Sequence, residues 1–182
     1  MKTDVRRTED VKTHVKDPDL VIRRRRLIVD AAVQLFIEKG FHKTTTRQIA
    51  AATGLSIGSL YEYVASKEDI LYLVCDAIHE EVERVVSGAF SKAAGDRSAV
   101  EWMIRDYFLV CDRMSDHILL IYQETRTLPA KWRKRVLENE VRMTGLFVSV
   151  LARIIPSEDL PQFQESAIEL IAHNISVAPK AG

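Results

Sequence analysis

Residues 44–69 read TTTRQIAAATGLSIGSLYEYVASKED, and this stretch decides the fold. Thr45 and Gln48 stand at capping-box spacing, which marks the start of a helix. That helix runs through Ile49, Ala50 and Ala51 and stops at Thr53-Gly54. Ser56 is a good N-cap for a second short helix reaching about Tyr63. Ser66, with Glu68 and Asp69 after it, caps the start of another. Two short helices joined by Gly54-Leu55-Ser56 meet the needs of a helix-turn-helix. Small residues Ala50 and Ala51 precede the turn, and Leu55 and Leu60 are placed to fill the space between the helices. In such a unit the first helix crosses the nucleic-acid backbone, and the N-terminal end of the second enters the major groove. Ser56, Ile57, Gly58 and Ser59 are small enough to let that end lie deep.

Outward from this stretch the pattern stays helical. Upstream, Ile28, Ala31, Ala32, Leu35 and Phe36 give one apolar face to a helix from about Val21 to Lys39. Gly40 is expected to close it in the left-handed conformation. Residues 1–20 are charged and poor in large apolar side chains, and are expected to be a disordered tail. Downstream, Ile70, Leu71, Val74, Ile78, Val82 and Val85 share a face of a helix over about 67–86. Further helices are expected at about 97–113, 115–125, 129–155 and 161–176, with Pro129 in a first turn. No stretch alternates with period two, so the expected fold is all-α. A DNA-binding domain is expected over 21–66 and a helical domain for sensing and dimerisation over 67–182.

The net charge is zero, yet the two ends differ. Residues 1–67 hold thirteen Lys and Arg against eight Asp and Glu, a surplus of five positive charges that the remainder cancels. A basic head on an acidic body suggests that only the head meets phosphates. Four arginines, Arg23 to Arg26, add to it; they fit either a solvated helix end or phosphate contacts. No apolar run is long enough to cross a membrane, and the first twenty residues lack a signal-peptide core, so a cytoplasmic location is expected. Cys75 and Cys111 form no CxxC pair and are expected to be reduced thiols.

Catalytic patterns are weak. Gly54-Leu-Ser56-Ile-Gly58 satisfies the nucleophile elbow of α/β-hydrolases, but that elbow needs a preceding strand, and QIAAAT is helical. The five histidines, His14, His42, His79, His117 and His173, lack metal-binding spacing. His79, followed by Glu80 on a helix, is expected on a solvated face. Neither a metal, a cofactor nor an enzymatic activity is expected.

The stretch from Thr44 to Leu71 resembles the TetR family of bacterial regulators. The match falls at Thr44-Thr45, Arg47, Ile49-Ala50, Gly54, Ser56, Gly58, Leu60-Tyr61, Tyr63 and Ser66 to Leu71. The resemblance implies that Thr45, Thr46 and Arg47 face phosphates or the groove edge and that Ser56, Ile57, Gly58 and Ser59 approach bases. It further implies that Tyr61, Tyr63 and Lys67 hold the DNA backbone. Ile57 departs from the usual polar residue, as do Glu62 and Val64 from theirs; Ile57 could touch a thymine methyl.

The resemblance also implies that the later helices bind a small-molecule effector and pair two chains into a homodimer on a palindromic operator of double-stranded DNA. Trp102, Met103, Tyr107, Tyr122, Met143 and Phe147 are candidates to line a site for an apolar or amphipathic ligand, with Arg126 for an anionic head group. Each fits plain core packing as well. Tyr122 to Glu140 is similar to members that respond to acyl-coenzyme A or other lipid metabolites. The resemblance implies a longer chain ending in two pairing helices, of which the second is expected to have no counterpart here. The other reading is a helical interaction protein, or a shortened regulator without ligand response.

Overall fold

In a computed structural model of the chain, residues 11–92 and 97–151 are described. Every regular element among them is helical. They are α1 (Pro18–Lys39), α2 (Thr46–Ala52), α3 (Ile57–Tyr61), α4 (Lys67–Lys92), α5 (Arg97–Arg113), α6 (Ser115–Glu124), a single 3-10 turn at Thr125–Thr127, and α7 (Ala130–Leu151). The fold is all-α, and none of these helices is long and apolar enough to cross a membrane. The helix expected at 161–176 lies outside the described residues.

Helix α1 starts earlier than its apolar face suggests. Asp17 is its N-cap, its carboxylate accepting from the N–H groups of Asp19 and Leu20, and Pro18 fills a first-turn position that needs no donor. Residues 11–20 are therefore not part of a disordered tail, and Val11 is buried at 1 % exposure. At the far end, the N–H of Gly40 returns to the carbonyl of Phe36. Its φ of 81° and ψ of 151° lie in the extended positive-φ region rather than the left-handed helical one. A side chain is strained there, which accounts for glycine.

The helices fall into two compact units that do not divide at residue 66. Among the described residues, the first unit holds 11–77 and 115–133, and the second holds 78–92, 97–114 and 134–151. The boundary differs from the expected one because side chains beyond residue 114 pack with the N-terminal helices. The Trp132 ring stacks on Tyr72 at 4.1 Å and 14°. Its indole N–H donates to Asp69 Oδ1 at 2.9 Å. The core of this unit is Ile28, Ala32 and Phe36 of α1, Ile49 of α2, Leu60 of α3, and Ile70 and Leu71 of α4, joined by Leu120 of α6. Burying each large side chain among these contributes about 1.5–3 kcal/mol.

The second unit is built on Val82 and Val86 of α4, Val110 of α5, and Val136 and Val148 of α7, all buried. Tyr107 meets Phe147 edge-on at 5.1 Å. Glu81 accepts from both Arg84 and Arg113, and these contacts, Arg84 foremost, hold its carboxyl below the ordinary carboxylate value.

Candidate nucleic-acid interface

Short helices need their end groups satisfied locally, and here each is. Thr45 caps α2, its hydroxyl accepting from the N–H of Gln48 at 3.2 Å while its own N–H donates to Gln48 Oε1 at 2.9 Å. At the other end the Thr53 hydroxyl donates to the carbonyl of Ala50 at 2.9 Å, and the N–H of Leu55 does the same. Gly54 makes this turn with φ of +70°. Ser56 caps α3, accepting from the N–H of Ser59 at 3.0 Å. Its hydroxyl donates to the Ser59 hydroxyl at 2.9 Å. Ile49, Ala50, Leu60 and Val64 are buried beneath the two helices.

The opposite face is open. Thr45, Arg47, Ser56, Ile57, Gly58 and Tyr61 are exposed, and Thr46 and Ser59 are half-buried. The Tyr61 hydroxyl bonds the Thr46 hydroxyl at 3.1 Å, tying the end of α3 to the start of α2. Eight of the ten residues expected to meet DNA thus share one accessible surface. It combines a guanidinium, several hydroxyls and the apolar Ile57, a set able to contact phosphates and base edges.

The other two turn inward. Tyr63 is buried at 6 % exposure, so its ring is part of the core rather than of the accessible face. Lys67 points its ammonium at the carbonyls of Phe41, 2.7 Å away, and Thr44, 2.9 Å away, and sits 4.3 Å from the centre of the Phe41 ring. Its protons are spent on the turn between α1 and α2. The arginine run divides in the same way. Arg25 is buried, donating through Nε to the Tyr63 carbonyl at 3.0 Å and through Nη2 to the Val11 carbonyl at 2.6 Å. Burial pulls its guanidinium below the ordinary value, and Asp69 opposes the shift. Arg23 and Arg26 remain exposed.

Comparison with known proteins bears on the same stretch. The profile described as "Bacterial regulatory proteins, tetR family" matches residues 28–72, from the middle of α1 through the start of α4. HbdR, an HTH-type transcriptional regulator of Aromatoleum sp. (strain CIB), is 36% identical over 143 residues, 76% of this chain and 61% of HbdR. The chain belongs to the TetR family. The fatty acid metabolism regulator protein of Bacillus subtilis (strain 168) is 28% identical over 115 residues, 63% of this chain and 58% of that protein. The alignments thus span about three fifths of the length of these relatives. Among solved structures, PfmR from Thermus thermophilus shares the fold with a TM-score of 0.65 at 21% identity, covering 85% of this chain and 87% of its own. So do AibR, solved with isovaleryl coenzyme A and operator DNA (0.61, 19%, 87% and 89%), and FadR from Bacillus subtilis, solved with stearoyl-CoA (0.60, 22%, 83% and 84%).

TetR-family regulators are expected to hold a ligand beyond the DNA-binding helices, and the residues proposed for that site are divided between the two units. Tyr107 and Phe147 meet in the second unit, where Met143 is half-buried. Trp102 is 47% exposed, with the Arg105 guanidinium 4.2 Å from its ring centre. Tyr122 and Arg126 belong to the first unit, and Tyr122 is 73% exposed. The side chain of Met103 lies outside the described residues. One polar pairing of the second unit runs against the expectation from the sequence. His79, expected at the surface, is fully buried, and its Nε2 lies 2.9 Å from Glu140 Oε1. Its Nδ1 has no hydrogen-bond partner in the structure. An open groove of about 220 Å³ in the same unit runs between Arg84, Val85 and Gly88 of α4 and Asp106, Leu109, Val110 and Arg113 of α5.

Proposed function

We propose that the chain is a cytoplasmic, homodimeric transcriptional repressor that binds a palindromic operator and is released from it by a small apolar or amphipathic ligand. The observation that carries the DNA-binding part is the α2–α3 face. Its caps are satisfied from within, so Thr45, Thr46 and Arg47 at one edge and Ser56, Ile57, Gly58 and Ser59 at the reading end are presented in a fixed geometry. Phosphate contacts from the first group set register, and base contacts from the second choose sequence. Two such faces must reach major grooves about 34 Å apart, which is the reason to expect a two-fold dimer. The surplus of positive charge in residues 1–67 favours the same partner.

For the ligand we favour an acyl-coenzyme A. Support comes from the company the chain keeps: one relative is named for fatty acid metabolism, and two proteins of the same fold were solved with acyl-CoA thioesters. Trp102, Tyr107, Met143 and Phe147 supply apolar surface in the second unit. Both α4 and α7 contribute residues to each unit, so ligand-induced movement of either helix has a covalent path to the DNA-binding half.

A gel-shift with the DNA upstream of the chain's own gene tests the first part. Binding should fall about tenfold or more between low and moderate salt. Arg47→Ala should weaken it on all sequences, and Ser59→Ala should change the preference among them. No binding to any duplex would refute the regulator reading and leave a helical interaction protein. Isovaleryl-CoA and stearoyl-CoA are the ligand probes. At a hundred times its Kd, an acyl-CoA that binds only the folded protein adds about 2.7 kcal/mol, visible as a rise in Tm. No rise and no release from DNA would remove this ligand class.

A further inference from the structure

The α2–α3 face leaves one neighbouring segment unexplained. Residues 11–16 read VKTHVK, with two lysines, a histidine and no acid. They are not a free tail. The Thr13 hydroxyl donates to the Glu62 carbonyl at 2.8 Å, and the N–H of His14 donates to the same oxygen at 3.0 Å. The Thr13 hydroxyl also accepts from the N–H of Val15 at 3.2 Å, which bends the segment at that point. Arg25 holds the other side, one guanidinium joining the Val11 carbonyl to the Tyr63 carbonyl, with the Val11 side chain buried. The segment is therefore strapped to residues 62 and 63, where α3 ends, next to Tyr61 of the accessible face.

With Val11 inward and Val15 half-buried, Lys12, His14 and Lys16 remain exposed at that edge. Among the described residues, three acids adjoin the segment or its anchor. Asp17 is committed to capping α1, Asp19 lies in its first turn, and Glu62 is exposed at the end of α3. A buried arginine engaged with two backbone carbonyls is an expensive way to hold a loop that has nothing to do.

We propose that Val11–Lys16 is an arm that sets Lys12 and Lys16, with His14 between them, on backbone phosphates of duplex DNA flanking those met by the α2–α3 face. This rests on the DNA-binding reading above. The arm adds affinity without sequence preference, since ammonium groups on phosphates read charge and not bases. It also gives Arg25 a function that the arginine run does not disclose: holding the arm in place.

The test uses the full chain and a short duplex selected from a random pool by the wild-type protein, with affinity measured against KCl concentration. Lys12→Ala combined with Lys16→Ala should keep the wild-type melting curve and selected sequence, yet lose about tenfold or more in affinity at low salt. The slope of log K against log[KCl] should become shallower by about 0.9 for each phosphate that is no longer neutralised. Thr13→Val keeps both lysines but removes one strap, and should lose about twofold to tenfold. Wild-type affinity and slope in the double variant overturn the arm while DNA binding stands. Unchanged affinity in Thr13→Val overturns the positioning. Failure of the wild type to select any duplex removes the underlying reading and the arm with it.

Discussion

Asp69 offers the sharpest test of how the first unit is held together. It is 8% exposed, and both of its carboxylate oxygens are engaged. Oδ1 accepts from the Trp132 indole at 2.9 Å, and Oδ2 accepts from the N–H of Ala65 at 3.0 Å. Its charge also acts on the buried Arg25. Asp69→Ala leaves a buried indole N–H and a partly buried backbone N–H without an acceptor, each costing about 1–3 kcal/mol. The expected loss is about 2–6 kcal/mol, a large share of the roughly 5–15 kcal/mol that holds a domain folded. Asp69→Asn keeps one acceptor and loses the charge, so it should fall between. Urea unfolding followed by tryptophan fluorescence reads this directly, with Trp102→Phe in the background so that Trp132 is the sole reporter. The Tyr72–Trp132 stack should loosen in the native baseline of both variants, since the indole has lost the bond that orients it. A loss below about 1 kcal/mol in Asp69→Ala, with an unchanged m-value, would show that the Trp132 and Ala65 contacts do not hold the unit, and the physical account of its boundary would fail.

Two further outcomes follow from single residues. Gly54→Val should cost roughly 1–2 kcal/mol and weaken DNA binding, because φ of +70° is strained for any side chain even though a Cβ there meets nothing within 4 Å; an unchanged Tm would contradict it. Burial lowers the pKa of His117, against the opposing charges of Asp30 and Asp116. The unfolded chain therefore binds this proton more readily. Its contribution to stability is present above the ordinary value of about 6.5 and is lost as pH falls through the folded value. His117→Gln should flatten the decline of Tm below neutral pH, and an identical decline in variant and wild type would refute the assignment.

The reading of the sequence went furthest where the deciding interactions are local. The Thr45–Gln48 box, the Ser56 cap and the turn at Gly54 close within a few residues, so spacing alone locates α2 and α3. The start of α1 carries a signal of the same kind, Asp17-Pro18, but the charged composition around it outweighed the cap. Longer-range pairings were not legible. Arg25 finds its acceptor at Tyr63, 38 positions away, and His79 meets Glu140 at 61. A polar residue at either place looks solvated until the partner helix is present. Exposure in the candidate ligand-lining set was not legible for a related reason, since a large apolar residue such as Tyr122, 73% exposed, carries no mark of whether a neighbour covers it.

The match to the TetR family mixes residues with two kinds of task, and only packing separates them. Tyr63, Lys67 and Asp69 lie in the same matching stretch as Arg47, Ser56 and Tyr61. The first three satisfy groups inside the first unit: a core aromatic, a cation on the carbonyls of Phe41 and Thr44, and an acceptor for Trp132 and Ala65. The last three remain exposed. Substitution separates the two kinds. Lys67→Met removes a cation from three carbonyls and should act first on Tm, with DNA affinity falling in proportion to the fraction unfolded. Arg47→Ala removes a cation from the surface and should act on affinity and its salt dependence while leaving Tm within about a degree of wild type. If Lys67→Met instead lowers the salt slope at unchanged Tm, its ammonium leaves the turn to meet a phosphate, and the inward placement describes the unbound state alone.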